Sequence, residues 1–560
     1  MFYWITIAAV FIVIIVVFYI YNHFDKQNIT RRNLQKIKNK WGKPVNARRN
    51  FKLIAAYLNA DNSTAKIAPS VAEDLDINNL FNFIDRTNSK PGKQYLYKKL
   101  FTPETSFENL LHLDHDIEAI NMSRPDQDGI ELLLTKLSST DAYFLVELFE
   151  KEHVSILAPL MGIYIRLSGI AIIGLIVSLF IVSNPFSFLV LTALLIINIA
   201  LHYRTKNKIS SYTRSLPQLL ILHSVARSLL NKLTFEQDET VKISLNKLSG
   251  LSRSLKLVSF ETKLADNQEN LSYAIYKIIK LIFLLEPLMF ITSVKRINKY
   301  RQDIEVIYKY VAGIDMLIAI QSVRSGLPHF SKPVFCTENL QMELTDMYHP
   351  LIYNCVSNSI VTRTDEGVLI TGSNMSGKTT FIRSIAINTL LAQTIFTTCT
   401  KIYKAPLLKI QTSIRVTDDL GEQKSYFQAE ALSILDIINQ SSVNEHVKSL
   451  IIIDEIFKGT NTIERIAAAK SVLTYLTDNK NFVFVSTHDL ELAELLNNDY
   501  AVYSFEESVN DTHLVFDYRM KTGVLKNKNG IAILETIGYP ESVVEDAYIV
   551  SETLKRKYEL

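Results

Sequence analysis

A loop of ten residues at 371–380 has the composition of a phosphate-binding site. It reads Thr-Gly-Ser-Asn-Met-Ser-Gly-Lys-Thr-Thr, follows the apolar run 367–370 and precedes a helical pattern over 381–388. Strand, glycine-bounded loop and helix form the context of a P-loop, and the spacing G-x-x-x-x-G-K-T matches it. In that context the N–H groups of the loop and of the helix N-terminus can point at a phosphate together. The alternative interpretation is an ordinary glycine turn.

The polar side chains of this loop have distinct predicted roles. Lys378 would reach the β- and γ-phosphates, and the hydroxyl of Thr379 would bind Mg²⁺. We therefore expect ATP or GTP, together with Mg²⁺, as the ligand. The predicted nucleotide-binding residues of the loop are Gly372, Ser373, Asn374, Met375, Ser376, Gly377, Lys378, Thr379 and Thr380.

Two adjacent carboxylates follow a later apolar run. Residues 450–453 read Leu-Ile-Ile-Ile and end in Asp454 and Glu455. In an open α/β sheet, ligands bind at the carboxyl ends of the strands, so both carboxylates should lie beside the P-loop. Asp454 is placed to hold Mg²⁺ through water, as a Walker-B aspartate does. Glu455 can orient or deprotonate the attacking water.

Two further polar residues are candidates for the same site. His488 follows the strand-like run 482–487 and should contact the γ-phosphate, although a histidine after a strand is more often structural. Ser425 precedes a helical pattern that contains Glu430. Taken alone, this pair is a helix start with Ser425 as the cap.

The elements that must position these residues change in character along the chain. Residues 53–155 and 209–325 have apolar residues at helical spacing. From about residue 334, strand-like runs alternate with helical patterns, which predicts a parallel sheet with helices on its faces. The predicted fold is multidomain: an α-helical core domain, interrupted by a transmembrane hairpin, is followed by an α/β P-loop ATPase domain of the ABC type.

Length and composition restrict the class of protein. A chain of 560 residues is long enough for three or four domains. The net charge is +3, so the chain does not have the overall basic character of a dedicated nucleic-acid binder. Any contact with nucleic acid must come from a local basic patch. Cys336, Cys355 and Cys399 have no metal-ligand spacing and suit a reducing compartment.

The apolar residues are concentrated in two places that predict membrane helices. Residues 2–21 carry no charge and are long enough to cross a bilayer. Residues 167–203 form two apolar arms around the Asn184-Pro185 break, which predicts a hairpin of two spans. The alternatives are a cleaved signal peptide for the first run and a buried soluble hairpin for the second.

Basic residues flank both predicted membrane elements. Residues 26–52 contain Lys and Arg but no acidic residue, and the segment Arg204–Lys208 follows the hairpin. The positive-inside rule places both flanks in the cytoplasm. We expect a multi-pass protein of the cytoplasmic (inner) membrane with its ATPase domain in the cytoplasm. The 26–52 cluster could instead bind DNA or anionic lipid.

Four motifs in this order resemble the ATPase domain of MutS-family proteins. They are TGSNMSGKTTFIR from 371, RVTDDLGEQKSYFQAEA over 415–431, DEIFKGTNT over 454–462 and STHDLEL over 486–492. Residues 80–103 and 310–315 look like the start and the end of the helical core of the same family. The resemblance covers most of residues 75–550 and is strongest over 345–550.

The resemblance and the apolar runs together imply a domain plan. Residues 1–22 would be a transmembrane helix, and 23–155 a basic linker with the first part of the helical core. Residues 156–206 would form the transmembrane hairpin, and 207–333 the second part of the core with its lever helices. Residues 334–560 would be the ATPase domain.

The resemblance also implies a homodimer with two composite ATP sites. Glu455, His488 and Lys378 would be catalytic, and Thr379 and Asp454 would bind the metal. Ser425 would come from the other subunit and reach the γ-phosphate. Tyr518 falls where the family often stacks a ring on adenine.

Several departures from the family bear on function. We expect the mismatch-recognition and connector domains to be absent, because a membrane helix is all that precedes residue 22. No Phe-x-Glu wedge, DNA clamp or nuclease segment can be assigned, and Ser425-Tyr426 replaces the usual Ser-Thr.

The sequence leaves three functions open. The favoured one is a membrane-anchored MutS-like ATPase whose ATP cycle opens and closes a dimer around DNA, as in mismatch repair or DNA damage sensing. The alternative is an ATP-driven membrane scaffold or switch that acts on a protein partner without DNA. The third is an ABC-type transporter, although no Leu-Ser-Gly-Gly-Gln-like signature precedes Asp454.

Overall fold

The secondary structure of the chain changes near residue 330. Helices precede this point, and sheets with further helices follow it. A computed structural model describes residues 24, 27–61, 66–121, 123–152, 159–182, 185–235, 238–254, 278–336, 340–373, 375–415, 426–442, 447–510, 513–524, 531, 534 and 537–558. The predicted membrane helix at 2–21 lies outside these residues. A helical first half and an α/β second half agree with the predicted multidomain fold.

The chain separates into two compact units, which we call the helical unit and the α/β unit. The helical unit comprises the described parts of Met1–Asn62, Asp85–Lys98 and Asp116–Ser325. The α/β unit comprises those of Ser63–Ile84, Lys99–His115 and Gly326–Leu560. Two short N-terminal stretches therefore group with the C-terminal part of the chain.

The helices before residue 330 range from one turn to more than twelve. The α-helices are α1 (27–40), α2 (Phe51–Ile54), α3 (Ala56–Ala60), α4 (Pro69–Asp74), α5 (Ile77–Ile84), α6 (Lys90–Phe101), α7 (Phe107–Ala119), α8 (Arg124–Leu134), α9 (Glu147–Glu150), α10 (Pro159–Val182), α11 (Pro185–Leu230), α12 (Asp238–Ser254), α13 (Leu285–Lys299) and α14 (Arg301–Gly326). Thr135–Leu137 and Thr140–Leu145 are 3₁₀ helices, and residues 278–282 form a short helical segment before α13.

A buried aspartate on α14 connects this helix to the residues at the start of α6. The carboxylate of Asp315 accepts hydrogen bonds from the main-chain N–H groups of Asn88 and Ser89, at 2.9 and 2.7 Å. The hydroxyl of Ser89 also donates to it, at 2.5 Å. Gly92 follows on α6 and packs directly against the Asp315 side chain. The two segments that resemble the start and end of a MutS core therefore meet at one buried site.

Three of the described helices are long and apolar enough to cross a membrane, by length and composition. They are Leu160–Ile181, Pro185–Thr205 and Arg301–Gly326. In the most apolar stretch of each helix, 17%, 11% and 78% of the residues, respectively, are buried. The last is α14, which holds the buried Asp315 and packs within the helical unit. The first two form the hairpin predicted at 167–203, and their apolar side chains are largely exposed.

The second arm of the hairpin continues beyond its apolar stretch. Helix α11 continues without interruption for 46 residues, from Pro185 to Leu230, and includes Pro217. Proline removes one helix hydrogen bond and bends a helix, but it does not have to end one. A single helix therefore runs from the candidate membrane span into the core of the helical unit.

The α/β unit contains two sheets and the helices that cover them. The strands are β1 (Val334–Phe335), β2 (Gln341–Met347), β3 (Asn358–Arg363), β4 (Gly367–Gly372), β5 (Ile402–Ala405), β6 (Leu408–Ser413), β7 (Lys448–Asp454), β8 (Phe482–Thr487), β9 (Tyr500–Asn510) and β10 (His513–Thr522). The helices are α15 (Lys378–Ile395), α16 (Tyr426–Ser442), α17 (Thr462–Asp478), α18 (Leu490–Leu495) and α19 (Glu541–Tyr558).

The larger sheet positions the predicted site. Its strand order is β10-β9-β4-β8-β7-β6, in which all neighbours are parallel except β10 and β9. Strands β4, β7 and β8 are buried almost throughout, as expected for a sheet covered on both faces. The smaller sheet has the order β1-β5-β2-β3.

Candidate functional site

The loop between β4 and α15 adopts a conformation that requires glycine at two positions. Gly372 has φ +146° and Gly377 has φ +110°, which are values that side-chain-bearing residues rarely adopt. A Cβ atom at Gly372 would lie 2.6 Å from the carbonyl oxygen of Phe505. The two glycines therefore allow the main chain to turn tightly from the strand into the helix, as the P-loop motif predicts.

Lys378 begins α15 and folds back over this loop. Its Nζ donates hydrogen bonds to the carbonyl oxygens of Gly372 and Ser373, both at 2.7 Å, and the side chain is buried. Ser376 donates to the same carbonyl of Ser373 at 2.9 Å. Met375 is exposed with φ +70°, and Asn374 lies outside the described residues. The ammonium group is thus held at the loop whose N–H groups would surround a phosphate.

Thr379 and Asp454 come together although 75 residues separate them. The Thr379 hydroxyl donates to Oδ2 of Asp454 at 2.8 Å. Ser486 donates a short hydrogen bond to the other oxygen, Oδ1. The parallel register explains this pairing, because Asp454 on β7 lies beside Ser486 on β8, and β8 pairs with β4. A hydroxyl and a carboxylate are the hard oxygen ligands that Mg²⁺ prefers, so these residues fit the metal.

Glu455 lies one residue beyond β7, with φ +58°. Its Oε1 is 3.0 Å from Nε2 of His488, and its Oε2 is 3.0 Å from Nζ of Lys458. The hydrogen bond from His488, together with Lys458, lowers the pKa of Glu455 to about 2, against the opposing effect of burial. The carboxylate is therefore ionised at neutral pH and held in position from two sides.

A cavity of about 410 Å³ opens next to the P-loop, large enough for a nucleotide base and sugar. Its walls include Tyr348, Tyr353 and Tyr518 together with P-loop residues such as Lys378 and Thr380. Residues between 347 and 358 supply another part of the wall, and the sequence motifs did not identify them as part of the site.

Tyr518 is presented to this cavity by an irregularity in β10. The pairing of β9 with β10 shifts register between Phe516 and Met520, and Tyr518 has φ +51°. The rings of Phe516 and Tyr518 stack at 5.8 Å. Asn358 holds the irregularity from β3, because its Nδ2 donates to the Tyr518 carbonyl at 3.0 Å and its Oδ1 accepts from the Met520 N–H at 2.8 Å.

Replacing Asn358 by alanine is expected to raise the KM for ATP with little change in kcat. Two hydrogen bonds that fix the irregularity are lost, at about 0.5–1.5 kcal/mol each, so the expected increase is about tenfold. Steady-state hydrolysis over a range of ATP concentrations separates KM from kcat. Asn497→Ala, at an exposed position on the same unit, is the control. A lower kcat at unchanged KM would contradict the positioning role.

Glu430 on α16 connects the region after Ser425 to the loop that follows Glu455. Its side chain is buried, and Oε1 accepts a hydrogen bond from the N–H of Phe457, in the loop that follows Glu455. Phe427 packs closely against Gly459 in the same loop. Ser425 itself lies outside the described residues, as does the Asp418-Asp419 pair. The start of α16 is therefore bonded to the loop beyond β7.

The structure brings most of the predicted site residues together at one edge of the sheet. Lys378, Thr379, Asp454, Glu455 and His488 surround the P-loop, and Tyr518 lines the adjoining cavity. Three further residues, Ser486, Lys458 and Asn358, contact the site and were not predicted to belong to it. Ser486 and Lys458 lie within the quoted motifs at 486–492 and 454–462, whereas Asn358 carried no sequence signal.

Comparison with known proteins agrees with this geometry. Residues 368–555 match the family model described as MutS domain V. The chain is 32% identical over 247 residues to the DNA mismatch repair protein MutS of Clostridium botulinum, covering 41% of this chain and 25% of that protein. The MutS proteins of Clostridium tetani and Carboxydothermus hydrogenoformans are 30% and 31% identical, over 46% and 47% of this chain and 30% and 32% of their own length.

These matches concern one part of each protein. The chain spans about a quarter to a third of the length of the curated relatives that it matches. The matched family model covers the P-loop, Asp454, Glu455, His488 and Tyr518. The C-terminal part of this chain is therefore similar to the MutS proteins over the region described as MutS domain V.

Proposed function

We propose that this chain is a membrane-anchored, MutS-like ATPase that hydrolyses ATP in a homodimer and couples the cycle to DNA binding. The observation that carries the ATPase part is the arrangement of Thr379, Asp454, Glu455 and His488 around one P-loop. Thr379, the Asp454–Glu455 pair and His488 come from three separate parts of the chain, so their meeting depends on the fold as well as on the motifs.

Mg²⁺ would be held by Thr379 and Asp454 and would neutralise charge on the β- and γ-phosphates. Lys378 would add a second positive charge on the same oxygens, since its ammonium already lies at the loop. The tyrosines of the 410 Å³ cavity, Tyr518 among them, would bind the adenine ring by stacking.

The low pKa of Glu455 favours one of its two predicted roles. A carboxylate with a pKa of about 2 is a poor proton acceptor at neutral pH, where an efficient general base has a pKa near 7. Glu455 would therefore act chiefly by accepting a hydrogen bond from the attacking water and orienting it towards the γ-phosphorus. His488 would keep the carboxylate in place and contact the γ-phosphate.

Exposed apolar side chains around the site support a dimer. Met375 in the P-loop, Tyr353 at the cavity and Ile463 at the start of α17 are all strongly exposed in the single chain. Large apolar side chains grouped around a polar site are typical of a surface that another chain covers. In the proposed dimer, Ser425 of the second subunit would complete the ATP site.

The exposed hairpin supports the membrane anchor. The helices Leu160–Ile181 and Pro185–Thr205 have the length and the composition of spans, and most of their surface is not covered by the described part of the chain. Arg204 and the basic residues after it would lie in the cytoplasm. The ATPase domain would then lie where ATP is available.

The partner of the ATPase distinguishes the proposed function from the membrane scaffold or switch. The similarity to proteins named for DNA mismatch repair supports DNA. The continuity of α11 supports the alternative, an ATP-driven membrane scaffold or switch on a protein partner, because one helix joins the hairpin to the helical unit.

ATP turnover and DNA binding by the full chain in lipid nanodiscs test the proposal. We expect ATP hydrolysis that Lys378→Ala lowers about 100-fold or more, since a charged group at the transferred phosphate is lost. Lys409→Ala, on an exposed lysine of the same unit, is the control. We also expect binding of mismatched or branched DNA that weakens steeply with salt.

The two parts of the proposal can fail separately. A parental protein that neither binds nor hydrolyses ATP would overturn the ATPase assignment. Hydrolysis without DNA binding, even at low salt, would reject the DNA partner and favour the membrane switch.

A further inference from the structure

Residues 278–299 pack along the inner end of the apolar hairpin. A Cβ atom at Gly169 of α10 would be 3.7 Å from the ring of Phe283, and one at Gly162 would be 3.6 Å from Ile291. On the other arm, the rings of Tyr212 and Phe290 meet edge to face at 4.7 Å. The glycines allow close approach, so this segment forms a third helical layer on the hairpin.

A polar side chain of the hairpin stabilises a break in this segment. The chain turns at Leu284, which has φ +49°, and Pro287 follows within the first turn of α13. The carbonyl oxygen of Ile282 accepts a hydrogen bond from Nδ2 of Asn198 at 2.8 Å. Asn198 is fully buried and accepts from the Tyr164 hydroxyl at 2.8 Å. An amide in an apolar helix thus satisfies a carbonyl that the break leaves without a helix partner.

At the start of this segment a charged pair points inward, whereas two isoleucines point outward. Nζ of Lys280 is 2.7 Å from Oε1 of Glu286, and both side chains are mostly buried. His202 of α11 lies 3.8 Å from the other oxygen of Glu286. Ile278 and Ile279, in contrast, are 56% and 42% exposed. This distribution is the reverse of that on a water-soluble helix and is typical of a surface that faces lipid.

The depth of the segment follows from the basic residues of the hairpin. Arg166 on α10 and Arg204 on α11 mark the cytoplasmic boundary, because an exposed arginine is costly inside a bilayer. Counted from these arginines towards the tip of the hairpin, Gly169 is three residues from Arg166, and Asn198 is six residues from Arg204. At 1.5 Å per residue these positions lie about 5 and 9 Å inside the apolar layer. Phe283 and Ile282 contact them and share that depth.

We propose that residues 278–284 dip into the cytoplasmic leaflet of the membrane, where lipid acyl chains cover Ile278 and Ile279. The Lys280–Glu286 pair makes this possible, because the two charges neutralise each other against the hairpin. The segment leaves the membrane through α13. This inference rests on the proposed membrane anchor and adds to it a third membrane-embedded element between the hairpin and α14.

Spin-label accessibility on the full chain in nanodiscs of phosphatidylcholine and phosphatidylglycerol tests the inference. Single cysteines are introduced at Ile278, Ile173 or Lys247 in a background of Cys336→Ser, Cys355→Ser and Cys399→Ala. Ile173 is an exposed apolar residue in the middle of α10, and Lys247 is an exposed residue of α12. Collisions with oxygen, which dissolves in lipid, are compared with collisions with a water-soluble nickel chelate. Ile279→Cys replaces Ile278→Cys if the latter does not yield monodisperse protein.

The expected result is that the Ile278 label behaves as the Ile173 label does, with high oxygen and low nickel accessibility. A label at Ile278 that matches Lys247, while Ile173 remains in lipid, would overturn the inference and leave the anchor intact. Low accessibility to both reagents at Ile278 would also overturn it, because protein would then cover the segment. An Ile173 label accessible to nickel would overturn the proposed anchor itself.

Discussion

Replacing Glu455 by glutamine is expected to lower ATP turnover by about 10² to 10⁴ while leaving ATP binding within a few-fold of the parent. Glutamine has the same size but no charge, so it cannot hold the attacking water as the carboxylate does. The residues proposed to bind the phosphates and Mg²⁺, Lys378, Thr379 and Asp454, are unchanged. Single-turnover hydrolysis and equilibrium binding of a fluorescent ATP analogue measure the two effects separately.

The control for this variant is Glu494→Gln, an exposed carboxylate on α18 of the same unit. Turnover of Glu455→Gln at the parental rate would disprove the catalytic role of Glu455.

The ionisation of Glu455 also predicts how ATP turnover depends on pH. A pKa of about 2 means that Glu455 stays ionised as pH falls from 8 to 4, so its protonation should not limit turnover in that range. His488→Ala removes the largest cause of the lowered pKa, which should then rise towards the usual value for a carboxyl group. The acidic decline in turnover of His488→Ala should therefore begin at a higher pH than in the parent.

Replacing Gly92 by alanine is expected to destabilise the helical unit by about 2–4 kcal/mol. A Cβ atom at this position would lie 2.7 Å from both Cβ and Cγ of Asp315. Asp315 cannot move away without losing its hydrogen bonds to Asn88 and Ser89, because all of these groups are buried or half-buried. Thermal and urea unfolding of the full chain in nanodiscs, followed by circular dichroism, measures the loss.

Gly313→Ala provides a matched control on the partner helix. Gly313 lies two residues before Asp315 in α14, and a Cβ atom there would meet no other group within 4 Å. Alanine is favoured over glycine inside a helix by about 0.8–1.0 kcal/mol, so this variant should be neutral or stabilised. Equal stability of the Gly92→Ala variant and the parent would mean that Gly92 and Asp315 are not tightly packed.

The sequence predicts those site residues that are close together in the chain or that follow a recognisable strand. The P-loop is contiguous, so the spacing of its residues is enough to identify them. Asp454 and His488 follow buried apolar runs, and parallel strands place their carboxyl ends at one edge. Asn358 could not be found in this way, because its two hydrogen bonds reach across about 160 residues to an irregularity that no sequence pattern announces.

The fold shows a similar division. Strand and helix alternation after residue 334 predicts the larger sheet, since each run has the period and length of its element. The grouping of residues 63–84 and 99–115 with the α/β unit depends on tertiary contacts between short helices and distant strands. Likewise, α11 crosses the change from apolar to polar sequence at Arg204 without a break, because helix hydrogen bonds do not depend on which solvent surrounds the side chains.

The uninterrupted helix α11 fixes the rotation of the apolar hairpin, about the helix axis, relative to the rest of the helical unit. Each helical residue contributes about 100° of rotation and 1.5 Å of rise. The 46 residues of α11 therefore form a rigid connection about 69 Å long, in which a rotation at one end is transmitted to the other. A single residue inserted near Arg204 would turn Asn198 away from Ile282 by roughly a quarter of a revolution. A seven-residue insertion would restore the phase to within about 20°. Length changes in this region of related chains should therefore occur in multiples close to two helical turns.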